Sequence, residues 1–401
     1  MVPDLPGWVP GRIRSLIYRV EKWWIQLLLP ARYALSSELR EAHERLVTLI
    51  RSSDLPAVDP AAHRSSASRA IAAFRLQREA DVPEIYRPGE MWGNIIASIS
   101  TFSTWRKTGD DSVLAASLSR FYRTDLVTAH SGDMYIWDLE KGNIDLMLQV
   151  YMIIRRYREF LPRHPRVDPS LVSTTDVGRN IYVLYRGRKL TFKTLRHACY
   201  LDRMQELGLI GKAGGLVGEL GCGSGEMAIL AKKMHPGTRY VCFDLPETLL
   251  VSTYNVLASL PGLSVGLVSD FPGTERITRK ELERFDIVML PNWCIGRMED
   301  GTFDLFVNIA SLSEMPLPII RNYIGEIERV TAGSFYTVNR NRPGVAQWGA
   351  EDVPISAFPF SANARITSMR YDTASDIYHI RYGLDYVCNY WEAVVAVGKP
   401  H

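Results

Sequence analysis

The stretch VGELGCGSGEMAILAKK, Val217 to Lys233, joins an apolar, β-prone run to a helix-forming tail through three alternating glycines. A turn this tight meets its ligand with backbone, and three ligand classes use such turns: nucleoside triphosphates, dinucleotides and S-adenosylmethionine. A triphosphate loop needs Lys followed by Ser or Thr after its last glycine, whereas Gly225 precedes Glu226 and Met227. The dinucleotide fingerprint is G-x-G-x-x-G, and Gly221, Gly223 and Gly225 give G-x-G-x-G instead, with Glu226 where a small packing residue belongs.

Glu219 is the more telling residue. It stands two positions before the first glycine, at the expected carboxyl end of the strand, where an acid repels a pyrophosphate and suits a ligand carrying an amine. S-adenosylmethionine has an ammonium, a sulfonium and no phosphate. Asp244 ends the next β-prone run, YVCFDLP, nineteen residues after Gly225, where a carboxylate accepts both ribose hydroxyls. An NAD-dependent oxidoreductase is the remote rival. Its Tyr-x-x-x-Lys pair would be Tyr185 and Lys189, which precede the loop in a Gly-containing turn and so stand in the wrong place for catalysis.

The rest of the chain frames that loop. At 401 residues it has room for two or three domains, and a net charge of +3 with mixed signs gives no nucleic-acid footprint. Five scattered cysteines read as reduced thiols in a cytoplasmic protein. No apolar run reaches the roughly 20 residues of a membrane span. WWIQLLL, Trp23 to Leu29, lies in a segment read as a helix packed on its own domain or on a second subunit.

Up to about residue 160 the text is helical, with AAHRSSASRAIAAF, 61–74, as a linker running into a helix. Prolines and turn formers over 161–180 mark a boundary, followed by a hairpin around Arg186-Gly187-Arg188 and a helix over about 195–207. From 211 onward β-prone and helix-prone runs alternate, and DIYHIRYGLDYVCNYWEAVVAVGK, 376–399, reads as a closing hairpin. The expected architecture is α/β: a Rossmann-like, doubly wound, mostly parallel sheet with an antiparallel terminal hairpin, plus an all-α N-terminal domain. The expected domains are 1–165, a helical substrate lid and candidate homodimer surface; 166–210, a linker hairpin and helix; and 211–401, the cofactor domain.

With these residues in hand, 181–343 resembles the sugar O-methyltransferase family of class I S-adenosylmethionine-dependent methyltransferases. LRHACYLDRMQEL, GELGCGSG, FDLPETLL, IVMLPNW, FVNIASLSEM and YTVNRNRP carry the likeness, in that order, over about 40% of the chain. The loop departs from it at Cys222, where such families often have a second glycine. The resemblance implies a methyltransferase acting on a small molecule, a sugar or glycosylated natural product first, with C-methylation of an isoprenoid diphosphate as the alternative. It implies that Glu219, Gly221, Cys222 and Gly223 face the methionine part of the cofactor, Asp244 and Leu245 the ribose and adenine edge, and Asn292 and Trp293 the adenine. Asp270 is the other adenine candidate, since either IVMLP or LSVGLVSD is the third strand.

A sugar hydroxyl is a poor nucleophile, and a base near its proton gains typically 10²- to 10⁴-fold. Glu314, in FVNIASLSEM, is the first choice of base, though an acid before Met315-Pro316 also suits a helix start. His197, in LRHACY, is the second. Arg196, Ser311 and Arg340 are the substrate-binding candidates, with Asn339 and Arg342 beside them, and the arginines suit an acidic or phosphorylated acceptor. C-methylation would instead need aromatic walls, for which Trp92, Tyr135, Trp137, Trp293 and Tyr336 are available. A cofactor-binding scaffold without catalysis is the non-enzyme reading, against which the intact Glu219, loop and Asp244 stand. No Cys/His cluster has zinc spacing, and Asp270 with Glu314 is a candidate magnesium pair.

Overall fold

The computed structural model describes residues 20, 23, 27–34, 36–51, 60–130, 143–273, 275–341, 353–375 and 390–397. Helices dominate the first part: α1 (Ser37–Arg51), α2 (Pro60–Glu79), α3 (Glu90–Ser98), α4 (Ser100–Thr108), α5 (Asp111–Leu118) and α6 (Asn143–Arg163). The Ala/Ser-rich patch expected to be a linker lies inside α2. Alanine is the best helix former, and Ala67, Ala70 and Ala73 are buried, which lets the helix approach its neighbours closely. Strands β1 (Val183–Tyr185) and β2 (Arg188–Leu190) then form the expected hairpin, with Arg186 and Gly187 at positive φ in its turn. Thr191 caps α7 (Phe192–Glu206), its hydroxyl accepting the Thr194 N–H at 3.0 Å.

The remaining elements alternate: β3 (Leu216–Leu220), α8 (Glu226–Met234), β4 (Arg239–Asp244), α9 (Pro246–Ser259), β5 (Val265–Leu267), α10 (Arg279–Leu282), β6 (Ile287–Pro291), β7 (Phe303–Ile309), α11 (Leu317–Val330), β8 (Thr331–Arg340), β9 (Arg365–Tyr371) and β10 (Tyr390–Ala396). Among the described residues, eight of these strands form one sheet in the order β5-β6-β4-β3-β7-β8-β10-β9. All pairs from β5 to β8 are parallel, and β10 runs antiparallel to both β8 and β9. This is a doubly wound α/β sheet. Successive residues of each strand feed opposite faces, as in β4, where Tyr240 and Cys242 join one apolar cluster and Val241 and Phe243 the other.

Three consequences position the site. The chain leaves β3 toward β4 on one side and returns to β7 on the other, so the switch point, where such sheets open a crevice, lies between β3 and β7. Strand β6 sits between β4 and β5, which settles IVMLP as third from the centre and LSVGLVSD as the outermost. The N-terminal helices pack on the sheet's own helices: Phe74 of α2 shares a core with Leu250 and Tyr254 of α9.

Of the expected terminal hairpin, 376–399, residues 376–389 with the Gly-Leu-Asp turn lie outside the described residues; among the described ones β10 pairs antiparallel with β9, 365–371. β9 is a largely exposed edge strand, so it lacks an apolar run to betray it, and Arg370 reaches across to buried Glu392 at 2.9 Å. Cys199, Cys222, Cys242 and Cys294 are buried free thiols, and Cys388 lies outside the described residues. Among the described residues no helix is long and apolar enough to cross a membrane.

Candidate active site

The carboxyl ends of β3, β4, β6 and β7 open into a cavity of about 1000 Å³, counting its mouth. Its floor is the glycine turn. Gly221, Gly223 and Gly225 all have positive φ, at 80°, 56° and 73°, which L side chains rarely adopt. A Cβ on Gly221 would also collide with the Ser311 hydroxyl. The turn is tied to β4: the Gly221 N–H donates to the Phe243 carbonyl at 2.8 Å and the Gly223 N–H to Asp244 Oδ2 at 2.9 Å. Asp244 Oδ1 accepts the Leu245 N–H at 2.8 Å, so one carboxylate fixes two loops.

Glu219 and Asp244 make this floor acidic. Glu219 is 3% exposed, and its Oε2 has no hydrogen-bond partner among the described residues. Burial pushes its pKa up to about 8; the Tyr240 hydroxyl and Lys193 pull it down and Asp244 pushes it further up. Burial also lifts Asp244 to about 6, against the backbone donors that lower it. Glu219, held this high, is set to ionise when a cation arrives.

Asn292 follows β6 and is 3% exposed. Its Nδ2 donates to the Tyr86 carbonyl at 2.6 Å and the Tyr323 hydroxyl at 2.7 Å. A carbonyl only accepts, which fixes the amide's orientation and leaves Oδ1, buried without a partner among the described residues, as an acceptor for an N–H.

Beside the turn, one face of α7 lines the cavity with Lys193, Arg196 and His197 at i, i+3 and i+4. Lys193 Nζ donates to Ser224 Oγ at 2.8 Å. His197 is 5% exposed and its Nδ1 has no hydrogen-bond partner among the described residues. Burial, with the Arg196 and Lys193 charges adding to it, holds its pKa well below 6.5, so the ring is neutral at neutral pH. Glu314 ends the short turn after β7, with Trp92 Nε1 donating to its Oε2 at 3.2 Å and Arg340 Nη2 3.9 Å from its Oε1. Ala310, between β7 and that turn, holds φ at 67°, a strained setting for a residue with a side chain.

Glu219, Gly221, Cys222, Gly223, Asp244, Leu245, Asn292, Arg196, His197, Ser311 and Glu314 therefore line one cavity. Trp293 does not; it packs against an apolar cluster that includes Val241, Phe243 and Ile295. Arg340 does not line it either, and stands behind Glu314 with Nε 3.5 Å from Ser313 Oγ. The Ser311 hydroxyl is engaged by Asn308 Nδ2 at 2.5 Å and the Leu220 carbonyl at 3.3 Å, so it buttresses the glycine turn. Asn339 is fully buried, accepting the Ser313 N–H at 3.0 Å and donating to Asn308 Oδ1 at 2.8 Å, which makes it a support of the same turn. Arg342 lies outside the described residues.

Asp270 turns back to accept the Leu267 N–H at 2.8 Å and does not line the cavity, whereas Glu314 does. No cluster of metal-binding side chains is found among the described residues. Of the aromatic candidates, Trp92 lines the cavity while Tyr336 is buried elsewhere, donating to Glu392 at 2.8 Å. Tyr135 and Trp137 lie outside the described residues.

The sequence reading missed Lys193, Tyr323 and the strap Arg87-Pro88-Gly89, which also line the cavity. Lys193 was legible as the residue one helical turn before His197. The strap carries no motif, and its place follows from tertiary packing: Tyr86 and Tyr323 meet edge to face at 5.9 Å, and Gly89 sits against Pro316.

No protein-family model matches the chain, and neither does any curated protein sequence. Solved methyltransferase structures are similar to it. One from Galdieria sulphuraria, assigned to sarcosine and dimethylglycine, is 9% identical over 51% of this chain and 86% of that one, with a TM-score of 0.37. The pyocyanin biosynthetic protein PhzM is 12% identical over 80% and 77%, at 0.33. A SAM-dependent methyltransferase from Aquifex aeolicus is 15% identical over 49% and 88%, at 0.30.

Proposed function

We propose that the protein is an S-adenosylmethionine-dependent methyltransferase that O-methylates a small molecule, a sugar or glycosylated natural product. The observation that carries this is the buried Glu219 Oε2, without a hydrogen-bond partner among the described residues, beside a glycine turn in which Gly221, at positive φ and against Ser311, admits no side chain. An orphaned buried carboxyl is costly, and an ammonium in charge-assisted contact removes the cost.

When bound, the cofactor supplies a methyl group on a sulfonium. Glu219 would hold its ammonium, Asp244 its ribose hydroxyls and Asn292 Oδ1 its adenine amine, and Lys193 would supply a positive charge for its carboxylate. Glu314, oriented by Trp92, takes the proton from the acceptor hydroxyl, and neutral His197, whose Nδ1 has no hydrogen-bond partner among the described residues, is the base only in its place. In this reading residues 211–401 hold the cofactor, 166–210 supply the α7 wall, and the helices of 1–165 roof the acceptor.

The test is transfer of label from methyl-labelled cofactor to a panel of sugars, phosphorylated sugars and prenyl diphosphates. Methylation of a sugar hydroxyl, lost in Glu314→Gln, is expected. Transfer to the prenyl diphosphates alone contradicts the O-methylation reading, and tight cofactor binding with transfer to none indicates a scaffold.

A further inference from the structure

The cavity is lined by two carboxyls at its floor and by basic side chains of α7 and the strap. Glu219 and Asp244 belong to the floor, and Lys193, held by Ser224 beside Glu219, belongs with them. Arg196 and His197 of α7 line the cavity further along the same helix face, and Arg87 of the strap lines it too. His197 is 5% exposed with Nδ1 unpartnered among the described residues, so a buried polar atom there waits for a ligand atom. A neutral sugar makes no use of guanidinium charge, whereas an oxyanion is matched by two guanidinium forks and an imidazole N–H.

We propose that Arg196, His197 and Arg87 form a subsite for an oxyanion, phosphate or carboxylate, carried by the methyl acceptor. This rests on the methyl-donor reading of the cavity and adds that the acceptor is an acidic sugar rather than a neutral one. Arg196 and Arg87 supply charge. Neutral His197, kept so by burial and by the neighbouring Arg196 and Lys193, donates one hydrogen bond and places the anion relative to Glu314.

The same chemistry has a second source, the cofactor's own carboxylate, and calorimetry separates the two. Inorganic phosphate, glucose 6-phosphate and glucose are titrated into the full chain with and without saturating S-adenosylhomocysteine. Phosphate and glucose 6-phosphate are expected to bind the saturated protein, with glucose at least 10-fold weaker. Arg196→Gln and Arg87→Gln should each weaken glucose 6-phosphate at least 10-fold without changing S-adenosylhomocysteine affinity. Arg87 is 56% exposed and pairs with exposed Glu84 at 3.0 Å, a surface contact whose loss costs the fold little, so its variant tests whether the guanidinium also serves the subsite. Phosphate that binds only the unsaturated protein and competes with S-adenosylhomocysteine assigns these residues to the cofactor carboxylate and overturns the proposal, as does equal binding of glucose and glucose 6-phosphate. Should S-adenosylhomocysteine itself not bind, the methyl-donor reading fails, while phosphate binding lost in both arginine variants still supports an oxyanion site.

Discussion

Trp92 donates its indole N–H to Glu314 at 3.2 Å, so a helix of the N-terminal half aims the carboxylate that follows β7. Trp92→Phe keeps the ring and removes the donor. A hydrogen bond to a charged group is worth about 1.5–3 kcal/mol. Turnover should fall about 10-fold with S-adenosylhomocysteine affinity unchanged, and the acidic limb of the pH–rate profile should move to higher pH, because the ionised form has lost a donor. A fall in turnover with no movement of that limb would mean that Trp92 only packs.

Glu314→Gln should lower turnover by about 10² to 10⁴. Cofactor binding, followed by calorimetry, should be untouched. His197→Gln under the same assay tests the second base. If Glu314→Gln is near normal and His197→Gln is not, the proton goes to the imidazole.

Gly221→Ala meets two penalties, a positive φ and a collision with Ser311. The backbone penalty alone is about 1–3 kcal/mol. Denaturant unfolding should show a loss of at least that size, and Gly221→Ala with Ser311→Gly should recover the part due to the collision. No recovery would place the whole cost in the backbone.

Glu219 also makes stability depend on pH in a defined direction. Its folded-state pKa is raised from about 4.5 to about 8, so its contribution is fully present below the unfolded value and is lost as pH rises through about 8. One such group changes stability by at most about 1.4 kcal/mol per pH unit. The melting temperature of the unliganded protein should fall between pH 5 and 8, and Glu219→Gln should flatten the slope. S-adenosylhomocysteine should raise the melting temperature more at pH 8 than at pH 6.

The α/β sheet was legible because its strands announce themselves: VGELG, YVCFD and IVMLP are apolar runs ended by turn residues, and burial on both faces demands that pattern. β9 was not, since an exposed edge strand has one solvated face and reads as a loop. The α2 patch misled for a related reason, as small residues suit both a linker and a tightly packed helix. At the site, Glu219, Asp244 and the glycines were readable because local sequence fixes their geometry. The roles of Ser311, Asn339 and Trp293 were not, because a side chain's direction after a strand depends on which neighbour claims its hydrogen bond. The strap of Arg87 to Gly89 meets the cavity through contacts more than 200 residues apart, such as Tyr86 with Asn292, and no local pattern encodes that.

The most direct test is titration calorimetry of S-adenosylhomocysteine into the wild-type and Glu219→Gln proteins at pH 7, in two buffers of different ionisation enthalpy. The account predicts binding to the wild type with proton release, because Glu219 is protonated when the cavity is empty and ionised when it meets the ammonium. Glu219→Gln should bind about 10- to 100-fold more weakly, from the loss of a charged hydrogen bond, with the Glu219-linked proton release gone. Equal affinity and equal proton release in the two proteins, or binding of NAD in place of S-adenosylhomocysteine, would contradict it.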